Sequence, residues 1–206
     1  MTSTPTVHIV DDDEAIRDSL RFLLEPEGLT VRTYASAMSL MSAELPPAGC
    51  ILTDFDMPGI NGLELQLQLT ARGIRLPVIV MTGHGDVPVA VRAMKAGALD
   101  FLEKPFGDGQ LLDAIKRALE DNGRMIEAAV IAAGAVRRLA ALTPREREVL
   151  DLLVTGKSNK EIAKVLGTSP RTIDVHRARV FQKLQADTLP DLVHLVLAAR
   201  PDGAAR

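Results

Sequence analysis

The chain has 206 residues, 47% hydrophobic and 25% charged, enough for one large or two small globular domains. Its net charge of −3 hides an asymmetry: residues 1–122 carry 18 acidic against 10 basic side chains, whereas residues 140–206 carry 8 acidic against 11 basic. One cysteine, Cys50, excludes an internal disulfide framework, and the longest weakly polar stretch, AAVIAAGAV at 128–136, is too short to cross a bilayer.

An acidic front and a basic back predict two domains with different partners, with nucleic acid as the candidate partner of the back. Cys50 lies in an apolar run and reads as a buried, inert thiol. The few polar residues before VHIVDDD lead to the expectation of no signal peptide. The expectation is a protein of the reducing cytoplasm with no membrane partner.

Apolar runs at 7–10, 50–53 and 77–81 predict fully buried strands, and LTVRTY (29–34) and LDFL (99–102) predict two more. Amphipathic stretches at 14–26, 36–44, 62–72, 87–97 and 109–121 predict the intervening helices. Five strand–helix units imply an α/β doubly wound five-stranded parallel sheet, whose functional groups collect at the carboxyl ends of the strands. Asn122-Gly123 is a helix-stop signal. Residues 124–141 then read as an Ala-rich helical linker, although a near-continuous helix over 109–140 is also compatible. From 142 the pattern is helical throughout, with Thr143, Ser169 and the turn glycines Gly156 and Gly167 marking the ends. The predicted division is 1–122, 123–141 and 142–206.

Asp11, Asp12 and Asp13 follow the first strand, and Asp54 follows the third. Thr82 ends the fourth and Lys104 follows the fifth. If the strands are parallel neighbours, all of these meet at one edge. Crowded carboxylates raise one another's pKa, and a divalent cation with a preference for oxygen, Mg²⁺, relieves the repulsion. The set suits phosphoryl transfer, with Asp54 as nucleophile and Lys104 as added positive charge. Asp12 is the expected metal ligand, Asp11 supports it, and Asp54 and the backbone carbonyl of Asp56 complete the set. Asp13 has a structural alternative as the cap of the next helix.

Asp11-Asp12, Asp54, Thr82 and Lys104-Pro105 together resemble the receiver domain of bacterial two-component response regulators, over residues 5–122. The resemblance implies a flavodoxin-like fold and phosphorylation of Asp54 by a sensor histidine kinase with Mg²⁺. It also implies that Thr82 moves to bond the phosphoryl group, that Phe101 is the switch aromatic, and that Lys104-Pro105 is cis. The competing reading is a metal-dependent aspartyl-phosphate phosphatase fused to a DNA-binding domain, since Asp54-Phe55-Asp56 matches an Asp-x-Asp pair. Pro58 stands where that family wants Thr or Val.

In the tail, NKEIAKVLG and SPRTIDVHRARVFQKL are joined by a tight GTS, which predicts a helix-turn-helix. Ile173, Val180 and Leu184 define the inner face of the second helix. Arg171, Asp174, Val175 and Ala178 lie opposite, where base edges would be read. Lys160, Arg177, Arg179 and Lys183 would meet phosphates, with Ser169 and Thr172 at the helix start. His176 reads as a packed residue, since nothing nearby completes a metal site. The stretch from LTPREREVL to FQKL resembles the all-α four-helix LuxR-type DNA-binding domain. The whole chain is thus similar to response regulators of the NarL/FixJ group, and within it to regulators of nitrogen-fixation genes. That resemblance implies a transcription activator that forms a homodimer on phosphorylation, binds double-stranded DNA and works on RNA polymerase.

Overall fold

The computed structural model describes residues 4–83 and 87–200, leaving aside the side chains of residues 87–90. The chain divides into two compact units, Met1–Ile126 and Glu127–Arg206.

In the first unit the strands are β1 (Thr6–Val10), β2 (Thr30–Tyr34), β3 (Gly49–Asp54), β4 (Val78–Thr82) and β5 (Asp100–Glu103). They alternate with α1 (Glu14–Leu24), α2 (Ala37–Met41), α3 (Gly62–Ala71), α4 (Val87–Lys95) and α5 (Asp108–Ala140). All pairings are parallel, in the order β2-β1-β3-β4-β5. β1, β3 and β4 are buried along their whole length, which accounts for their mainly apolar sequences.

Alternate side chains leave opposite faces of the sheet. Val7, Ile9, Cys50, Leu52, Ile79 and Met81 pack with Leu20 and Leu24 of α1 and Leu111 and Ile115 of α5. Val10, Ile51, Val78 and Val80 pack with Leu40 of α2, Leu65 and Leu69 of α3 and Ala93 of α4. The sheet is therefore doubly wound, as the sequence predicts.

Two helix ends differ from expectation. The first helix stops at Leu24, because Pro26 diverts the chain into a 3-10 turn over Glu25–Glu27. At the other end of the unit, Asn122-Gly123 does not stop α5. Asn122 is buried and its side-chain oxygen accepts from the Gly49 amide at 3.0 Å. Of the two forms compatible with the sequence, the near-continuous helix over 109–140 is the one adopted, and it is divided between the two units.

The second unit contains the end of α5 with α6 (Pro144–Leu153), α7 (Asn159–Val165), α8 (Pro170–Leu184) and α9 (Leu189–Ala198). Capping boxes at Thr143/Glu146, Ser158/Glu161 and Thr188/Asp191 start α6, α7 and α9. Ala135 and Leu139 of α5 bury against Leu150, Val180, Leu184 and Leu192. Val149, Leu153, Ile162 and Ile173 form a second cluster that fixes α7 on α8.

Candidate functional site

Strand register brings the expected groups to one edge. Val10 is level with Thr53, Asp54 with Met81, and Thr82 with Glu103, so Asp11 and Lys104, just beyond β1 and β5, lie at the same end as Asp54 and Thr82, the last residues of β3 and β4. The order β2-β1-β3-β4-β5 reverses direction between β1 and β3, where open α/β sheets bind their ligands.

The loop after β3 is held close to the sheet. Gly62 begins α3, and a Cβ there would lie 2.5 Å from the Asp54 carbonyl oxygen, so only glycine fits. Gly59 has φ +82°, which tightens the turn. The Phe55 amide donates to Met81 O at 2.7 Å, and the Asp56 amide donates to Asp54 Oδ2 at 2.9 Å. On the other side, the Lys104 amide donates to Thr82 O at 2.7 Å, and Lys104-Pro105 is cis.

Lys104 bridges the two strand ends. Its Nζ donates to Asp54 Oδ1 at 2.6 Å and to Asp11 Oδ2 at 3.0 Å. Asp11, Asp54 and Thr82 are buried, while Lys104 is partly exposed. Burial pushes the Asp11 carboxyl above the usual carboxylate range, against the pull of Lys104 and the Asp13 amide. Burial also opposes the charge on Lys104, but bonds and charges from Asp54 and Asp11 outweigh it and raise its pKa. The ammonium therefore stays charged between two carboxylates, one of them reluctant to ionise.

The three consecutive acids divide their roles. Asp11 enters the bridge. Asp13 caps α1, accepting from the Ala15 amide at 2.8 Å. Asp12 is exposed. Among the described residues no three Asp, Glu, His or Cys side chains are gathered as a ready-made metal cluster. Lys104 Nζ bonds both Asp11 and Asp54, and Asp12 is exposed. The donor set still fits Mg²⁺ chemically. Two carboxylates share one ammonium, and Mg²⁺ needs only one or two carboxylates beside carbonyl and water oxygens.

Phe101 is half-buried and packs against the core under α4. Arg17 was not anticipated; its Nη1 donates to the Asp11 carbonyl at 2.7 Å. A basic residue early in a helix, opposed by the helix dipole, was the available signal.

In the second unit, Ile173, Val180 and Leu184 are buried as predicted. Lys160, Arg171, Thr172, Asp174, Val175, Ala178 and Arg179 are exposed. Ser169 starts α8, its Oγ accepting from the Thr172 amide at 3.1 Å. Two expected phosphate contacts are already engaged. Lys183 Nζ donates to Glu146 Oε2 at 2.7 Å and to Ala141 O at 3.2 Å. Arg177 donates to Asn159 Oδ1 at 3.1 Å, with its guanidinium 5.5 Å from the Phe181 ring centroid. Asn159, which the sequence reading passed over, also donates to Asp174 Oδ1. His176 is half-buried.

Comparison with known proteins agrees with this geometry. Residues 7–116 match the response regulator receiver domain, and residues 140–196 match the bacterial regulatory proteins of the luxR family. The transcriptional regulatory protein FixJ of Azorhizobium caulinodans is 50% identical over 203 residues, covering 97% of this chain and 95% of that protein. The solved response regulator StyR is 43% identical with a TM-score of 0.83, covering 95% of this chain and 99% of that one. Full-length FixJ from B. japonicum is 42% identical with a TM-score of 0.58, covering 96% and 98%. The phosphatase reading finds no support among these relatives, which are named as regulators. No helix among the described residues is long and apolar enough to cross a membrane. A carboxylate–lysine bridge at the sheet's switch point and a C-terminal helix-turn-helix place the chain in the response-regulator family, with a receiver domain joined to a LuxR-type DNA-binding domain.

Proposed function

We propose that the chain is a cytoplasmic, phosphorylation-controlled transcription activator whose phosphoacceptor is Asp54. The Asp11–Lys104–Asp54 bridge carries this reading. One carboxylate oxygen of Asp54 attacks the phosphorus of a phosphohistidine on a sensor kinase. The new P–O bond forms as the P–N bond breaks, and the imidazole nitrogen leaves with the electron pair. Asp11, Asp12, Asp54 and the backbone carbonyl of Asp56 would hold Mg²⁺, which when bound supplies positive charge to the phosphoryl oxygens. Lys104 shifts its hydrogen bond from the carboxylate to the phosphoryl group, Thr82 moves to bond it, and Phe101 repacks.

The repacking makes α4 competent to pair with a second copy. Two α8 helices then reach two DNA half-sites together, which raises affinity through effective concentration. The DNA-bound dimer contacts RNA polymerase. The similarity to FixJ supports nitrogen-fixation genes as targets.

Intact-mass measurement after treatment with acetyl phosphate and Mg²⁺ tests the assignment. The wild-type chain should gain one hydroxylamine-labile phosphoryl group and Asp54→Asn none. A phosphoryl group at wild-type level on Asp54→Asn overturns it.

A further inference from the structure

Asn159 opens α7 and lies against the exposed face of α8 through a single amide. Its Nδ2 donates to Asp174 Oδ1, and its Oδ1 accepts from Arg177 Nη1 at 3.1 Å. The amide orientation follows from its partners, because a carboxylate needs the nitrogen and a guanidinium needs the oxygen. Asp174 and Arg177 are three apart on one helix, a spacing at which acid and base otherwise pair directly. The amide stands between them. Arg177 lies over the Phe181 ring, and Asp174 is exposed, with no hydrogen bond to Oδ2 among the described residues.

A carboxylate facing DNA is repelled by phosphates and by the O6 of guanine or the O4 of thymine. It is favoured by an amino donor, which cytosine offers in the major groove. We propose that Asn159 is a specificity-determining positioning residue: it holds Asp174 so that one carboxylate oxygen reads the amino group of a cytosine, and it keeps Arg177 from neutralising that carboxylate. This rests on the reading that α8 enters the major groove.

The test is selection of bound duplexes from a randomised pool by the full chain treated with acetyl phosphate and Mg²⁺, followed by sequencing. The wild-type chain should favour cytosine at one position per half-site, and Asp174→Ala should identify that position by losing the preference. Asn159→Ala should lose it at the same position by about ten-fold. The double variant should be no worse than Asp174→Ala, and the preference that Arg171→Ala removes should stay intact. A weakening by Asn159→Ala that is uniform across all positions overturns the proposal, because it marks a role in folding alone. So does an unchanged cytosine preference. A wild-type chain with no base preference anywhere overturns the major-groove reading itself, and the proposal with it.

Discussion

Asn122 and Gly123 form a dipeptide that commonly ends helices, yet α5 runs through both. The Asn122 side chain answers the amide of Gly49 at the start of β3, so a tertiary bond replaces the local one that would stop the helix. Asn122→Ala leaves that buried amide without a partner and should cost about 1–3 kcal/mol. Urea unfolding followed by the fluorescence of Tyr34, the only tyrosine in a chain without tryptophan, measures it. The same contrast marks what the sequence could say. Asp11, Asp54, Thr82 and Lys104 were legible because each stands where an apolar strand ends, and parallel strands bring such ends together. Asn122 was not, because its partner lies 73 residues away. Nor could spacing tell which of three consecutive acids turns inward, since strand register and the Lys104 bridge decide that. Asn159 was hidden for a related reason: its role depends on how closely α7 meets α8.

Helix faces show a similar limit. α4 carries more apolar residues than one buried stripe accommodates, and the structure divides them. Ala93 is buried, whereas Val91 and Met94 are 46% and 50% exposed. Ala98, just beyond the helix end at Lys95, is buried. The side chains of Val87 and Val89 lie outside the described residues. The broad stripe of α5 is absorbed by the sheet instead. Leu111, Ile115 and Ala118 are buried, with Leu112 and Leu119 packed beside them. Val91 and Met94 are therefore the spare patch. Val91→Asp places a charge where solvent already reaches, so folding and phosphorylation of Asp54 should persist. Dimerisation and tight operator binding should be lost. Sedimentation of the phosphorylated variant checks this, and a dimer of undiminished strength would exclude α4 as the interface.

Across the whole molecule, acid should weaken the two units in sequence. His8 is buried in β1, with Nδ1 3.1 Å from the Tyr34 hydroxyl, and burial followed by the charge of Arg32 lowers its pKa to about 4 from 6.5. Between those values the unfolded chain takes up a proton that the folded one refuses. Stability therefore falls as pH drops through that window, by on the order of 3 kcal/mol. Asp11, pushed upward, acts in the opposite direction near its own titration. In the second unit, the hydrogen bonds from Lys183 and the Thr143 amide lower Glu146 to about 2 from 4.5. Its contribution is present above 4.5 and lost as pH falls toward 2. Urea midpoints from Tyr34 fluorescence should drop between pH 6.5 and 4.5, and His8→Leu should flatten that drop. The helical circular dichroism of the second unit should hold until below pH 4.5. Cys50 adds a timepiece to this chain. It is fully buried in β3, between β1 and β4, with its thiol pushed up to about 12 by burial. A thiol reagent can meet that sulfur only in the moments when the sheet parts. With no other thiol in the chain, the pace of its labelling counts how often the first unit opens.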